Sequence, residues 1–594
     1  MCPVGYDRSF IPTFICQLIT DREAHMTQTP DNAHMMSAPG EMFEIETLDI
    51  RGVPTKTWKA APPTLLAVWE LAAAHGQATY LVYEDERISF NEARDRVNAL
   101  ASGLAATFGV QQGDRIAIAT RNYPEFVIAF WATISLGAVV VPLNAWWTGP
   151  ELSYAIEHSG AKVVIADDER LERLKDHLKT SPRPALIAVR TASVPEHATA
   201  YEEVLRAGKG RELPRPNIAP DDDATILYTS GTTGKPKGAV GTHRNSTHFI
   251  WNGVYAQTVR AFAAAAAAAS SGVAPPAPPT QTATLLTFPL FHVGGLQSHL
   301  LPYTLLGGKL VLMYKWDPDL AVDLILREDV NAFSGVPTTA FALLERARER
   351  GVSLPSLLGV SSGATLVPPE LVRQIDTQFS HRVAPGNGYG LTETSGAMVY
   401  NAGETYVSRP NSVGQPIAPV NSVKIVSPAE GNEAPVGELG EIWLKGPTVV
   451  RGYYSDPAAT EASFGDGWFR TGDLGRLDSE GYLYIVDRLK DVVIRGGENV
   501  YSAEVEAVLF AHPDITDAAI VGLPHPLLGE EVAAVVRIRD GSGLDAAKLT
   551  AYVKEQLAAF KVPSQWWLRA DELPRNAAGK VLKRNLREDF PKQK

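Results

Sequence analysis

The stretch SFNEARDRVNALASGLAATFGVQQGDRIAIAT, Ser89 to Thr120, carries the reading of the fold. Ser89 followed three residues later by Glu92 is a capping-box pattern, so a helix is expected to start there. Val97, Leu100, Ala101, Leu104, Ala105 and Phe108 then recur at the spacing of one helix face, which predicts a helix lying on a core. A Gly113-Asp114 turn leads into a strand-like run from Arg115 to Thr120. The order repeats with Leu152 to His158 as helix, Ser159-Gly160 as its stop and Lys162 to Ala166 as strand. Strands alternating with helices predict a doubly wound α/β sheet.

Between these two units, Phe126 to Pro150 runs 25 residues without Asp, Glu, Lys or Arg, long enough to cross a bilayer. Gly137 falls where a helix from about Pro124 would stop, and Val139, Val140 and Val141 form a β-branched run ended by Pro142. Helix, stop and buried strand is therefore the expectation, with no membrane span. The chain of 594 residues is too long for one compact core at roughly 100 to 200 residues per domain. Its 55 basic and 67 acidic side chains leave a net charge of −12, which opposes general attraction to nucleic acid or anionic membrane. Cys2 and Cys16 are the only cysteines, so no disulfide or Cys-based metal site can support the main fold, as suits a reducing cytoplasm. The first 35 residues lack a basic leader followed by a long apolar region, so a secretory signal is not expected. Ala263 to Ala269 followed by Pro275, Pro276, Pro278 and Pro279 reads as an exposed, mobile insertion whose Ala part can be helical. Arg575 to Lys594, with seven basic residues against Glu588 and Asp589, reads as a solvated tail.

The segment richest in chemistry is ILY, Ile226 to Tyr228, running into TSGTTGKPKG, Thr229 to Gly238. An apolar strand that empties into glycines, hydroxyls and two lysines is suited to phosphate. Gly231 and Gly234 let backbone amides converge on an anion, Thr229, Ser230, Thr232 and Thr233 add donors, and Lys235 and Lys237 add charge. It is not a Walker A loop, because only two residues separate Gly231 from Gly234 and Pro236 follows Lys235.

Together with NGYGLTE at Asn387 to Glu393, TGD at Thr471 to Asp473, DRLKDVVIRGGENVY at Asp487 to Tyr501 and NAAGK at Asn576 to Lys580, this loop resembles the adenylate-forming enzymes. These comprise acyl-CoA synthetases, aryl-CoA ligases, firefly luciferase and the adenylation domains of peptide synthetases. The resemblance spans about Pro62 to Arg584, with fatty-acid–CoA ligases as the nearest group. It implies a large N-terminal domain of doubly wound α/β sheets with a β-barrel-like part, and a small mobile α+β C-terminal domain. The expected boundaries are an N-terminal extension over 1–45, poorly ordered, a large domain over 46–487 with a flexible Ala/Pro insertion at 259–281, and a small domain over 488–594.

The same resemblance implies roles for individual residues. Tyr389 looks like the plate on which adenine stacks, with Asn387 meeting the base and Gly388 and Gly390 giving it room. Ser362, Gly363 and Ala364 resemble the opposite wall of that pocket. Thr392 and Glu393 resemble the pair that contacts the α-phosphate and holds Mg2+, a hard cation suited to one carboxylate plus phosphate oxygens. Asp473 and Arg488 match the ribose contacts. Lys490 aligns with the hinge about which the small domain rotates. Gly496 and Gly497 resemble the path of the pantetheine arm of coenzyme A. Ile494 stands where some aryl-CoA ligases carry a Lys, which leans away from the plant-type aryl subgroup. Lys580 holds the place of the catalytic lysine, where an ammonium offsets the repulsion between an attacking carboxylate and the α-phosphate of ATP.

His292, in PLFHVGGL (Pro289 to Leu296), stands where amino-acid-activating relatives carry an Asp for the substrate ammonium. An amino acid would leave its cation unpaired there, so a plain carboxylic acid is expected. His292 would gate the acyl tunnel, place the carboxylate or simply pack. Gly294, Gly295, Gly335, Val336, Ala397 and Met398 are small or apolar at places where such enzymes line the tunnel. A medium- or long-chain fatty acid is the first expectation, an aryl or alicyclic acid the second, and loading of a separate carrier protein the third. Homodimers are common in this family, but no surface in the sequence shows one.

Overall fold

A computed structural model of the chain describes residues 36–37, 39–176, 184–229, 235–271, 279–365, 367–576 and 579–591, with the side chains of 264–271 excepted. The helix expected after Ser89 runs Phe90–Phe108, and its capping box is formed: Glu92 N donates to Ser89 Oγ at 3.2 Å and Ser89 N to Glu92 Oε2 at 2.8 Å. The next strand is Arg115–Ala119, followed by the helix Pro124–Ser135 and the strand Val139–Pro142. Gly137, at φ 64°, turns the chain between the last two. Twelve helical residues rise about 18 Å, well short of a bilayer. From Phe126 to Leu143 the uncharged stretch is thus core, while Trp146, Thr148 and Pro150 at its end are exposed, and no described helix is long and apolar enough to cross a membrane.

Among the described residues, the first sheet has seven strands in the order Lys237–Thr242, Asp223–Thr229, Val139–Pro142, Arg115–Ala119, Val163–Asp167, Ala185–Val189, Ala198–Ala200. Its pairs are parallel except at the Lys237–Thr242 edge. The second has nine strands, with Ala283–Leu286, Ala332–Gly335, Gly359–Gly363 and Ala384–Leu391 side by side and parallel. One hydrophobic core joins the facing sides, from Tyr80 and Leu81 in the second sheet to Ile116 and Ile118 in the first. The Pro124–Ser135 helix lies wholly within it, where Trp131 stacks on Trp69 at 5.1 Å and donates to the Tyr80 hydroxyl at 3.0 Å. Every residue of that helix but Glu125 is buried, which is why the sequence there carries so little charge.

A smaller antiparallel sheet, with Ser422–Val426, Gly440–Lys445, Trp468–Leu477 and Leu483–Arg488, forms the barrel-like part. The following sheet, starting at Val493–Arg495 and centred on the Ile515–His525 and Gly529–Ile538 pair, has its own core, in which Val493, Val505, Ile520, Ala534 and Leu549 pack together. The fold is therefore a large α/β domain with a barrel-like part followed by a small α+β domain.

Three expectations need correction. Phe43, inside the stretch taken as extension, is 1% exposed and lies edge-on to Trp58 and Tyr255, so packing begins before residue 46. The helix His243–Ser271 carries the backbone through the alanine run, and Val259 and Phe262 pack on the main core, so the insertion is not exposed from residue 259. Gln281, at its other end, donates to Thr79 O and Gly307 O at 2.7 and 2.8 Å; residues 272–278 lie outside the described ones. The basic tail is not simply solvated: Leu586 is 1% exposed in a small core with Val521 and Leu573, and Lys583 pairs with Glu506 at 2.7 Å.

Candidate active site

The carboxyl ends of the parallel strands in the second sheet gather many of the residues singled out by sequence. Ser362 and Gly363 end one strand, beside Asn387 and Gly388 of the next, in register Ser362 with Asn387 and Gly363 with Gly388. Ser362 Oγ donates to Gly335 O at 3.0 Å, and Ala364 follows with φ 65°. That left-handed backbone in a residue with a Cβ is a strained turn at the strand end. The pairing with Gly396–Ala402 shifts register here, Tyr389 with Val399 and Gly390 with Ala397, which leaves Met398 as the extra residue of a β-bulge in that partner strand; a Cβ on Gly390 would stand 1.9 Å from Gly396 O, so no larger residue fits.

Tyr389 and Asp473 come together from 84 positions apart: the Tyr389 hydroxyl donates to Asp473 Oδ2 at 2.8 Å. Both are buried. Burial, then the Asp473 charge, pushes the Tyr389 phenol well above its ordinary pKa, so it remains a donor. Arg488 faces Asp473 across the strand pair, its Nε 3.0 Å from Oδ1.

Lys580 joins this group from the small domain. It is half-buried, and burial pulls its pKa from 10.5 to about 7, helped by Arg488 and Lys490 and opposed by Asp491 and Asp473. Its loop is closed by Asn576, which accepts from Lys580 N at 2.9 Å, and by Arg575, which donates to Gly579 O at 2.6 Å and pairs with Asp517. Ala577 and Ala578 lie outside the described residues. Gly579 rests on Val336: a Cβ there would meet the valine side chain at 2.8 to 3.3 Å. The lysine loop is thereby seated on the large domain. Burial also lowers the pKa of Lys490, the expected hinge, with Arg488 as the next cause.

Glu393 lies in the 3-10 turn Thr392–Thr394 and is buried. Burial raises its pKa, and the Tyr453 hydroxyl, donating to Oε1 at 2.8 Å, counters part of that. Among the described residues no group of three or more His, Cys, Asp or Glu is placed to hold a metal. A single carboxylate is nevertheless a donor that Mg2+ accepts alongside phosphate oxygens.

The loop expected to hold phosphate is anchored at both ends. Thr229 pairs in register with Lys237. Lys235 Nζ lies 5.1 Å over the Tyr154 ring, and Lys237 Nζ 5.1 Å over the Tyr453 ring. Ser230, Gly231, Thr232, Thr233 and Gly234 lie outside the described residues.

The residues expected to line the acyl tunnel divide. His292 caps the short turn Val293–Gly295 by accepting from Gly294 N at 3.1 Å, and burial holds its pKa at about 4, so it is neutral. Gly294 faces the Phe288 ring, and a Cβ on Gly335 would meet Thr339 Oγ1 at 2.3 Å. Gly295 is small because a Cβ would stand 2.2 Å from Pro289 O. Ala397 lies beside Gly388, but Met398, its neighbour on the strand, packs at 0% exposure in the barrel core with Ile442 and Leu444. Met398 is the unpaired residue of the bulge in that strand, which turns it, with Val399, into the barrel core. Gly496 and Gly497 form the turn of the Val493–Arg495 and Glu498–Val500 hairpin, with φ 60° and 89°; no described contact brings them to Lys580. The Ile494 side chain is exposed.

Sequence reading missed two residues. Asn122, buried, donates to Phe288 O at 3.0 Å and accepts from Leu290 N at 2.8 Å, fixing the segment that leads to His292. Tyr453 is the other, and its only sequence signal is the aromatic pair Tyr453-Tyr454 after Val449 to Gly452.

The family description "AMP-binding enzyme" matches residues 68–454, and "AMP-binding enzyme C-terminal domain" matches 504–580. The chain belongs to the AMP-binding enzymes. Within this family it is 35% identical to a feruloyl-CoA synthase from Amycolatopsis sp over 86% of this chain and 96% of that one. It is 31% identical to a long-chain-fatty-acid–CoA ligase from Bacillus subtilis (strain 168), over 87% and 93% of the two chains. The o-succinylbenzoate coenzyme A synthetase of Bacillus subtilis, solved with ATP and magnesium ion, has TM-score 0.72 and 30% identity over 89% of this chain and 99% of that one. As an AMP-binding enzyme, the protein is an acid–CoA ligase of the AMP-forming type.

Proposed function

We propose that the protein joins an acid with an apolar acyl body to coenzyme A in two half-reactions. The carboxylate attacks the α-phosphate of ATP, giving acyl adenylate and pyrophosphate, and the coenzyme A thiol then displaces AMP. The observation that carries this reading is the seating of Lys580 among Asp473, Arg488 and Lys490 while its neighbour Gly579 rests on Val336. A cation at that place lies between the ribose end of a bound nucleotide and the acyl wall, where two anions must meet. ATP brings negative charge, which raises the Lys580 pKa and keeps the ammonium charged in the complex.

In the same reading Tyr389 and Asn387 hold adenine against Ser362 to Ala364, Asp473 and Arg488 hold ribose, and Thr229 to Lys237 hold the leaving phosphates. Thr392 contacts the α-phosphate. Mg2+ bound by Glu393 and phosphate oxygens supplies charge neutralisation, and its presence with ATP in the Bacillus subtilis synthetase supports that assignment. Rotation of the small domain at Lys490 then removes Lys580 and brings the Gly496-Gly497 turn to the thiol path. The neutral His292 offers no anion to a substrate ammonium, which favours a plain acid over an amino acid. A fatty acid and an aryl acid suit the apolar wall about equally, and the likeness to a feruloyl-CoA synthase is the specific reason to keep the aryl reading.

Pyrophosphate release measured with dodecanoate, ferulate and indoleacetate, each with and without coenzyme A, tests the proposal. Release with one of them, accompanied by AMP and thioester when coenzyme A is present, is expected. Release that never leads to thioester would point to a carrier protein as acceptor.

A further inference from the structure

The segment from Val450 to Tyr454 has no regular secondary structure, yet it is held as firmly as a strand. Val450 N donates to Glu393 O at 3.0 Å, Val240 N to Gly452 O at 2.9 Å and Tyr454 N to Gly238 O at 2.7 Å. Tyr453 pairs with Ala239 as an isolated bridge, its own N–H donates to Thr460 Oγ1 at 2.9 Å, and its ring lies edge-on to Phe464 at 5.6 Å. The side chain is 9% exposed. One end of it, the hydroxyl, bonds Glu393 Oε1 at 2.8 Å; its face carries Lys237 Nζ at 5.1 Å.

We propose that Tyr453 is a positioning residue for adenylation, which fixes the Glu393 carboxylate with Oε1 occupied and Oε2 offered to the nucleotide-bound Mg2+, while its ring steadies Lys237 at the exit of the phosphate loop. A carboxylate on a side chain with three rotatable bonds reaches one orientation only when something holds it, and hydrogen-bonded partners of metal ligands serve that purpose. The phenol is well suited: it donates one hydrogen, carries no charge to repel the metal, and is anchored by its backbone rather than by the ligand it orients. A cation over the ring face couples the same side chain to the loop that meets the phosphates. The inference rests on the ligase reading above and adds a residue which that reading does not use.

Calorimetric titration of ATP with and without Mg2+ separates the two. In the wild-type protein Mg2+ should strengthen ATP binding. Tyr453→Phe, which removes only the hydroxyl, should cut that metal-dependent gain by about tenfold and leave metal-free ATP affinity within about twofold. Glu393→Gln should lose the gain from the other end of the bond, and adding Tyr453→Phe to it should change nothing further. A Tyr453→Phe protein with the full wild-type gain, or one that loses metal-free and metal-dependent affinity together, overturns the inference and leaves the ligase reading standing. Wild-type protein that binds no ATP in either condition overturns both.

Discussion

The Tyr389 hydroxyl donates to Asp473 Oδ2 at 2.8 Å, so a residue expected to serve adenine and one expected to serve ribose are a single bonded unit. Both are buried, and Arg488 takes the other side of the carboxylate. A hydrogen bond to a charged group contributes about 1.5 to 3 kcal/mol, and a buried carboxylate that loses it also loses its orientation. Tyr389→Phe keeps the ring and removes the bond. It should weaken AMP binding by about tenfold, measured by calorimetry, with the circular dichroism spectrum unchanged. Unchanged affinity would mean that Arg488 alone orients Asp473.

Lys580 supplies a pH prediction for the substrate-free protein. Its pKa of about 7 means that the ammonium loses its proton there, whereas an exposed lysine stays protonated to about 10.5. Between those values the unfolded or undocked chain binds more protons than the docked one, so seating of the loop strengthens as pH rises from about 7 towards 10.5 and is weakest, with no further change from this group, below about 7. Labelling with an amine-selective reagent, followed by peptide mass analysis, should show Lys580 reacting with a midpoint near pH 7. ATP should move that midpoint upward, because phosphate charge favours the ammonium. Lys580→Ala should abolish pyrophosphate release and largely spare thioester formation from supplied acyl adenylate; equal loss of both would remove its assigned role.

Local chemistry was legible in the sequence, and long-range pairing was not. The Ser89 to Glu92 capping box, the Gly137 stop and the strand before Thr229 depend on residues within a few positions of one another, and each stands where the pattern puts it. Phe43 on Trp58 and Tyr255, Tyr389 on Asp473 and Tyr453 on Glu393 join distant segments, and nothing near either partner announces the other. Met398 failed for a related reason. It is the unpaired residue where Gly396–Ala402 bulges against Ala384–Leu391, so alternation breaks and Met398 and Val399 both enter the barrel core, which only the pairing of the two strands reveals. The motif singled out Lys580, but nothing in it pointed to the contact that its neighbour Gly579 makes with Val336 of the large domain.

The Gly496-Gly497 turn should matter to the second half-reaction alone. A Cβ on Gly497 meets no heavy atom within 4 Å in this arrangement, so the side chain of Gly497→Leu starts in open space, with the strain of a non-glycine residue at φ 89°. Pyrophosphate release should stay near normal while thioester formation from acyl adenylate falls by at least about tenfold, since each 1.36 kcal/mol on the barrier is tenfold. Thioester formation at the wild-type rate would place the thiol path elsewhere.

Gly579 offers the sharpest test of docking, because it touches the large domain without bearing any reactive group. At φ 77° it occupies backbone that side chains disfavour, and its Cβ position is 2.8 Å from Val336 Cγ1 and 2.9 Å from Cγ2. Gly579→Ala therefore meets two penalties, a local one of about 1 kcal/mol for the backbone and a second for the contact. Only the second depends on Val336. Pyrophosphate release by Gly579→Ala should fall by tenfold or more, on the order of 1.4 kcal/mol, and adding Val336→Ala should recover part of the loss while Val336→Ala alone stays close to wild type at saturating acid. Thioester formation from supplied acyl adenylate should be spared throughout, because the proposed rotation takes the loop away from the cleft. If Val336→Ala recovers nothing, backbone strain explains the whole effect, and the contact between the lysine loop and the acyl wall does not limit adenylation.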